Sequence, residues 1–254
     1  MFVSMQSRND TMESTIQQLR VLSEEVFQCT RRCAGISCDA STGMRPRGPL
    51  VEMVAGETGI VIVGLNPGQP DLTERAVLVG LSSHADYDAW SNAHNFQTSA
   101  YWNRLRRFAK DIGFCGPIVW SNVAKCESAE ARTGVPLETQ RSCAQSFLTR
   151  ELSLIPRHWP AIVAGRDAYV ALTYLALERP IIGVPHPTGA SPQFHRLLTK
   201  DGRVLKPEHR AAVEEVLRSK TPKNVWLTEK SAARPLTWVA AATATASATA
   251  AGEL

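Results

Sequence analysis

The sequence lacks the features of a membrane protein, a secreted protein or a disulfide-stabilised protein. No apolar run approaches the roughly 20 residues that a transmembrane helix needs. Residues 1–20 are polar and contain no apolar signal-peptide core, so we expect a cytoplasmic protein. The 254 residues include only 6 cysteines, too few for a disulfide scaffold. In a reducing compartment they are interpreted as free thiols, metal ligands or redox groups.

A strong charge of either sign is missing as well. The formal net charge is +4, which permits a polyanionic partner without demanding one. Hydrophobic residues make up 44% of the chain and charged residues 20%, both ordinary values for a globular protein. The length suits one large α/β domain or two small ones.

Four short apolar runs rich in β-branched residues predict buried strands. The runs are residues 59–64, 117–122, 160–165 and 180–185. Helical periodicity predicts helices at about 11–28, 100–112, 137–155, 166–178 and 207–219. Strands that alternate with helices predict βαβ units and a mainly parallel sheet. Residues 70–97 contain no clear strand, and a gap of this length is usually functional or partly helical.

Polar residues follow three of the predicted strands. Asn66 lies in the tight turn Gly64-Leu-Asn-Pro-Gly68, Asn122 ends the second strand, and His186 follows the fourth. Because the carboxyl ends of parallel strands meet at one edge of a sheet, we expect these side chains to converge there. The structural alternatives are that Asn66 caps its turn and that His186 has no catalytic role.

Three segments resemble motifs of the uracil-DNA glycosylase superfamily. Gly64-Leu-Asn-Pro-Gly68 is closest to the Gly-x-Asn-Pro-Gly form of the mismatch-specific branch, whereas His186-Pro-Thr-Gly-Ala-Ser191 begins with His-Pro like the uracil-specific enzymes. Ser121-Asn-Val-Ala-Lys-Cys126 is similar to the Thr-Asn-Val-Val-Lys-Cys stretch of the iron–sulfur branch. The resemblance covers roughly residues 29–200, and the chain resembles a hybrid of these branches.

The resemblance implies a three-layer α/β/α fold around a central parallel four-stranded sheet, in residues 29–220. An N-terminal helix with a polar start would precede this domain in residues 1–28. A C-terminal extension would follow in residues 221–254, and its Ala/Thr-rich end at 240–254 is predicted to be disordered.

The implied function is that of a monofunctional glycosylase. We expect a monomer that flips uracil out of single- or double-stranded DNA, hydrolyses its N-glycosidic bond and leaves an abasic site. No lysine in the first or the last of these motifs could form a Schiff base. Two alternatives stay open. One is a glycosylase of the same fold that acts on mismatched thymine or deaminated purines, and the other is a non-catalytic DNA-binding module.

The resemblance assigns roles that suit the chemistry of each side chain. Asn66 would orient the attacking water, with Asp71 as its alternative. His186 would donate a hydrogen bond to uracil O2, where negative charge develops. Asn122 would read the N3–H and O4 edge of uracil, a pattern that cytosine reverses.

The remaining substrate-binding candidates shape the pocket. Phe96 resembles the residue that stacks on uracil, and its alternative role is that of a core aromatic. Gly68 stands where the uracil-specific enzymes have a tyrosine that excludes the thymine methyl group. Gln69, Asp71 or Phe96 would then have to exclude the thymine methyl group, or thymine would be excluded incompletely. The other candidates are Gly64 and Leu65.

The residues after His186 resemble the loop that enters the DNA duplex. They would fill the space of the flipped base and contact phosphates; the alternative is an ordinary surface loop. These candidates are Ser191, Gln193, Phe194, His195 and Arg196. A basic run on the predicted helix 100–112 is a further phosphate-contacting candidate, although a solvated face is the commoner meaning of such a run.

Cys126 and Cys143 are spaced much like the last two cluster ligands of the iron–sulfur branch. The upstream pattern Cys29-x3-Cys33-x4-Cys38 differs from the Cys-x-x-Cys of that branch. The resemblance implies a structural 4Fe–4S cluster held by Cys33, Cys38, Cys126 and Cys143, with Cys29 as an alternative ligand. A zinc site or no metal are the alternatives, and Cys115 is interpreted as a spare buried thiol.

Overall fold

A computed structural model describes residues 3–56, 58–130, 134–175, 178–188, 192–202 and 204–228 of the chain. Ser191 and the predicted disordered end at 240–254 lie outside this description. None of the helices within these ranges has the length and apolar character that crossing a lipid bilayer would require.

The first half of the chain supplies the N-terminal helix, the first strands and a run of helices between them. In order, these elements are α1 (Val3–Phe27), β1 (Ile36–Ser37), β2 (Leu50–Glu52), β3 (Ile60–Gly64), α2 (Leu72–Gly80), α3 (His84–Ala93), α4 (Asn95–Thr98), α5 (Ala100–Asp111) and β4 (Ile118–Asn122).

The second half alternates strands and helices more regularly. In order, its elements are β5 (Glu127–Ser128), α6 (Leu137–Cys143), a π-helical segment (Ala144–Leu148), α7 (Thr149–Leu154), β6 (Ala161–Ala164), α8 (Arg166–Leu175), β7 (Ile181–Val184), α9 (Gln193–Arg196), α10 (Pro207–Arg218) and β8 (Asn224–Trp226).

Six strands form the main sheet within the described residues, in the order β2-β4-β3-β6-β7-β8. All neighbouring pairs are parallel except β2 with β4, which is antiparallel. The four predicted strands form the centre of this sheet. The prediction of four strands is nevertheless too low, because β2 and β8 pair along the two edges. Strand β8 lies in the stretch that the sequence assigned to the C-terminal extension.

The four central strands are buried along their whole length, apart from the half-buried Asn122 at the end of β4. Their alternate side chains enter different cores. Ile60 and Ile62 join one cluster with residues of α5 and α10, whereas Val61 and Val63 join another with residues of α1, α7 and α8. The two cores therefore lie on opposite faces of the sheet, because successive strand side chains point to opposite faces.

Two short strands form a separate ribbon outside the main sheet. In this antiparallel pair Ile36 lies opposite Ser128, and Ser37 lies opposite Glu127. Ala129 extends the pairing by donating its N–H to the carbonyl of Gly35, at 3.0 Å. The ribbon attaches the cysteine-bearing N-terminal segment to the chain that follows β4.

The stretch from 70 to 97 is helical rather than a long loop. Helix α2 begins where the carboxylate of Asp71 accepts a hydrogen bond from the N–H of Glu74, and helix α3 begins where Ser83 accepts from the N–H of Asp86. Both are standard N-terminal caps. The predicted helix 137–155 also forms, but it is interrupted by the π-helical segment directly after Cys143.

Candidate active site at the carboxyl edge of the sheet

The three predicted polar residues follow strands that end at the same edge of the sheet. Gly64, at the end of β3, is in register with Asn122, at the end of β4. Strand β6 lies between β3 and β7, and the last residue of β6, Ala164, is in register with Val184, the last residue of β7. His186 follows two residues later. The parallel order therefore brings the Asn66 turn, Asn122 and His186 to one edge.

Tyr101, at the start of α5, connects these strand ends. Its ring centroid lies 5.3 Å from that of His186. A Cβ atom added to Gly64 would lie 3.0 Å from the Tyr101 hydroxyl and 2.6 Å from Oδ1 of Asn122. Position 64 therefore has no room for a side chain, and the phenol and the amide occupy that space. Burial raises the pKa of Tyr101 above its ordinary value, so the hydroxyl stays protonated.

His186 is held as a neutral imidazole whose Nδ1 faces its own loop. The backbone N–H of Thr188 donates to Nδ1 at 3.4 Å, and the Thr188 hydroxyl lies at the same distance from that atom. An accepting Nδ1 leaves the proton on Nε2. His186 is exposed, and desolvation by the surrounding protein lowers its pKa. The guanidinium of Arg104 donates to the carbonyl of Pro187 and fixes this loop to α5.

Asn66 is half-buried, and its side chain is oriented by two contacts of Nδ2. Nδ2 donates to the carbonyl oxygen of Pro67 at 3.0 Å and to Oγ of Ser128 at 3.2 Å. Within the described residues Oδ1 has no hydrogen-bond partner. The amide oxygen is thus the atom of Asn66 that can accept a hydrogen bond from a ligand or a water.

A buried arginine holds the turn that carries Asn66. Arg47 donates to the carbonyl of Gly68 at 3.2 Å and forms ion pairs with Glu127 at 2.6 Å and Glu74 at 3.4 Å. Burial raises the pKa of Glu127, an effect that the adjacent Arg47 opposes. No motif marks Arg47 in the sequence, because its partners lie at distant positions of the chain. It ties the turn to α2 and to strand β5.

A second buried ion pair lies beneath Asn122. The ammonium of Lys125 is 2.7 Å from a carboxylate oxygen of Glu151, and both side chains are 1% exposed. Lys125 also donates to the Ser121 hydroxyl at 2.8 Å and to the Asn122 carbonyl at 2.7 Å. Since the ammonium is fully occupied inside the protein, its role here is to hold the end of β4.

The other predicted residues of the first motif lie around the turn. The Asp71 carboxylate caps helix α2, accepting from the N–H of Glu74 at 2.8 Å, so one of its oxygens is engaged. Leu65 is half-buried, whereas Gly68 and Gln69 are exposed. A Cβ at Gly68 would meet no atom within 4 Å, so the space next to this position is open.

Two aromatic residues are not available where the sequence predicted them to act. Phe96 is only 2% exposed, and its ring packs against Trp102 at 4.8 Å and Trp120 at 5.9 Å. Phe96 is therefore a core aromatic residue, and neither face of its ring is free for a stacked base in this structure. Phe194 is 1% exposed and packs 6.2 Å from Phe108, so it cannot serve as a surface wedge in this conformation.

The remaining DNA-binding candidates lie at the surface. Gln193, His195 and Arg196 of α9 are exposed. In the basic run of α5, Arg106 is bound to Glu52 by two hydrogen bonds, at 2.6 and 3.1 Å, and Arg107 and Lys110 are exposed. Arg106 therefore has a structural role, and contacts of the surface side chains with phosphates stay a prediction.

The cysteines other than Cys115 lie close together. One pocket is lined by Cys29, Cys33, Cys126 and Cys143, together with Lys125 and Phe147. A hydrogen bond between the Cys38 and Cys126 thiols lowers the pKa of Cys38 to about 7 and raises that of Cys126. The backbone N–H of Lys125 donates to the sulfur of Cys143 at 3.3 Å.

The cysteine thiols are donors of the type that a thiolate-bound metal centre uses. Such a centre needs four thiolates on one site, and amide-to-sulfur hydrogen bonds accompany iron–sulfur clusters. As the side chains stand, no three His, Cys, Asp or Glu residues among those described are arranged around a common metal position. Binding would therefore require the thiols to move together. The prediction of a buried Cys115 is wrong, because its side chain is exposed; it does not line the pocket.

The site contains residues that the motifs did not mark. Tyr101 lies in the same sequence segment as Phe96. Its position as an aromatic residue at the start of a predicted helix is the feature that could have marked it as a site residue. Ser128 and Arg47 had no signal in the sequence. No protein-family model matches the chain, and no curated protein matches it in sequence. The functional interpretation therefore rests on the motifs and on the geometry of this edge.

Proposed function

We propose that the protein is a uracil-DNA glycosylase with the three-layer α/β/α fold of that superfamily. The observation that carries the proposal is the meeting of the Asn66 turn, Asn122 and His186 around Tyr101, at the carboxyl edge of a parallel sheet. Each of these polar groups supplies something that hydrolysis of an N-glycosidic bond requires. The two apolar cores on opposite faces of the sheet support the fold.

Asn66 orients the water in this proposal. The sugar of the substrate becomes positively charged as the bond breaks, so a neutral water that is correctly placed is a sufficient nucleophile. An amide is not a base, but its oxygen can accept a hydrogen bond from that water. The engagement of Nδ2 by Pro67 and Ser128 presents Oδ1 for this task. Asp71 is less suited, because its carboxylate caps α2.

His186 stabilises the leaving uracil. The departing base carries negative charge on O2, and a donor aimed at that atom lowers the barrier. The Nε2–H of the imidazole is this donor, since Nδ1 is occupied by Thr188. A neutral donor also avoids the cost of placing a full positive charge in a partly desolvated site.

Asn122 reads the base. One carboxamide can accept from uracil N3–H and donate to O4, whereas cytosine would leave both groups unpaired. Its side chain is half-buried next to Gly64, and Lys125 fixes its backbone carbonyl. Tyr101 takes over from Phe96 as the aromatic wall of this pocket, because it is the ring that lies beside His186.

The cysteines would hold a 4Fe–4S cluster that stabilises the fold. Cys126 and Cys143, with two of Cys29, Cys33 and Cys38, would be its ligands. Bound there, the cluster would cross-link the N-terminal segment to α6 and supply no electron transfer to the hydrolysis.

The open space beside Gly68 favours a second candidate function. No atom lies within 4 Å of a Cβ placed at Gly68, so this position itself would not exclude the methyl group of thymine. A glycosylase that also removes thymine or another base from mismatches is therefore the variant to test in parallel.

The test is base release from oligonucleotides with a single uracil, single-stranded or opposite G or A, in EDTA and followed by hot alkali. Strand cleavage at uracil alone supports the proposal. Cleavage at mismatched thymine or at hypoxanthine supports the broader variant. Intact strands under every pairing would contradict both, and gel shifts would then test for a DNA-binding module.

A further inference from the structure

We propose that Ser128 is a positioning residue that sets the orientation of the Asn66 amide. The inference rests on the proposed function, in which Asn66 orients the water. It goes further by naming a residue outside the motifs that makes Asn66 competent. The observation is the contact between Nδ2 of Asn66 and Oγ of Ser128, at 3.2 Å.

The orientation of the amide follows from the nature of its partners. The carbonyl of Pro67 can only accept, so the group that faces it must be Nδ2. If the amide rotated by half a turn, Oδ1 would face that carbonyl oxygen, and two acceptors would repel each other. Pro67 moves with the same turn, however, and cannot fix the amide relative to the rest of the site. Ser128 can, because it belongs to a different element.

Ser128 is itself held firmly. Strand β5 pairs with β1, where Ile36 lies opposite Ser128. The neighbouring Glu127 is 1% exposed and forms an ion pair with Arg47 at 2.6 Å. The same guanidinium donates to the carbonyl of Gly68, two residues after Asn66. Ribbon and turn are thus joined at two points, one through Arg47 and one through Ser128.

These two connections have different tasks. Arg47 holds the backbone of the turn, and its removal would leave Glu127 buried without its cation, which endangers folding. Among the described residues the Ser128 hydroxyl has one side-chain hydrogen bond, to Asn66, so the hydroxyl can be removed with little effect on the fold. Loss of the hydroxyl lets the amide turn away from its productive orientation, which lowers the rate and leaves DNA binding intact.

The experiment is single-turnover uracil release at increasing enzyme concentration. We expect Ser128→Ala to lower the maximal rate about fivefold to tenfold, the effect of one lost hydrogen bond, with little change in the half-saturating concentration. Ser128→Thr retains the hydroxyl and should restore most of the rate. Ser37→Ala, on the opposite strand of the same ribbon, is the matched control and should behave like the natural protein.

A double variant separates positioning from a general structural role. In the Asn66→Ala background, adding Ser128→Ala should cost no further rate, because the hydroxyl acts only through Asn66. A further loss there, an equal loss in Ser37→Ala, or an unchanged rate in Ser128→Ala would each overturn the positioning role alone. If the natural protein releases no base, the proposed function fails and the role of Ser128 fails with it.

Discussion

The ring of Tyr101 lies 5.3 Å from the imidazole of His186, and the planes of the two rings are inclined by 39°. This contact joins the start of α5 to the loop after β7, two elements that the sequence separates by more than eighty positions. Arg104, one turn further along the same helix, donates to the carbonyl of Pro187. Helix α5 therefore holds the histidine loop by two contacts, one to the ring of His186 and one to the backbone of Pro187.

Removing the Tyr101 ring should release His186 from this position. We expect Tyr101→Ala to slow uracil release about tenfold, which is the rate equivalent of one aromatic contact. Tyr101→Phe keeps the ring and should lose less than about threefold. Tyr174→Ala, at a tyrosine of α8 that is 76% exposed, is the control. Equal losses in the Phe and Ala variants would assign the effect to the hydroxyl instead of the ring contact.

The neutral state of His186 predicts the acid side of the pH–rate profile. Desolvation lowers the pKa of His186 from its ordinary value of 6.5, so the neutral imidazole is the major form when the pH falls to that value. The single-turnover rate should decline in acid with a midpoint below pH 6.5, as Nδ1 is protonated and loses its bond to Thr188. His186→Ala should lower the plateau by about 10²–10³. A decline centred above pH 6.5 would contradict the neutral-donor role.

Much of the central sheet could be predicted from the sequence. Strands β3, β4, β6 and β7 are continuous apolar runs because both of their faces are buried, and such runs are visible without any structure. The edge strands β2 and β8 have three residues each, too few to show a periodicity. Their existence depends on the neighbouring strand, which local sequence does not reveal.

The site was predictable only where its residues follow strands. Asn66, Asn122 and His186 lie at one edge because strand direction determines where strand ends meet. Phe194 illustrates the limit. It stands between polar residues and reads as a surface side chain, yet α9 turns it into the core beside Phe108. Ser128 and Arg47 act on the first motif from distant positions, and no pattern in a single sequence links such pairs.

The buried pair Lys125–Glu151 should contribute strongly to folding. Removing only the cation leaves an uncompensated buried carboxylate, so we expect Lys125→Met to destabilise the protein by about 3–5 kcal/mol in urea unfolding. The double variant Lys125→Met with Glu151→Leu should recover a large part of this loss. The exposed pair of Arg157 and Glu178, whose side chains are 79% and 66% exposed, provides the control. Arg157→Ala should cost less than about 1 kcal/mol.

The cluster of cysteines leads to a prediction of the metal content of the protein. After anaerobic purification we expect a brown protein with about four iron atoms and as many sulfides per chain. Cys126→Ala and Cys143→Ala should each lose the iron and the colour, because both thiols line the pocket. Cys115→Ala should keep them. A colourless protein that contains zinc would indicate a tetrahedral zinc site in place of the cluster. A protein that contains neither metal would indicate that the pocket holds free thiols.

His84 should make the protein less stable in mild acid. Its ring is 3% exposed, and Nε2 is a buried atom without a hydrogen-bond partner among the described residues. Burial lowers the pKa of His84 to about 4, although a hydrogen bond to the backbone of Gly48 and the nearby carboxylate of Glu24 oppose the shift. A protonated ring would place a poorly solvated charge inside the protein.

The direction of the pH effect follows from where the proton binds. Below about pH 6.5 the unfolded chain protonates His84, whereas the folded protein does so only near pH 4, so the free energy of unfolding falls as the pH drops between these values. The full contribution is about 3 kcal/mol. In urea unfolding, His84→Gln should reduce the loss of stability between pH 6.5 and 4 by this amount, while His158→Gln, at an exposed histidine, should not. Parallel pH profiles for the natural protein and His84→Gln would show that the ring is protonated, or solvated, in the folded state.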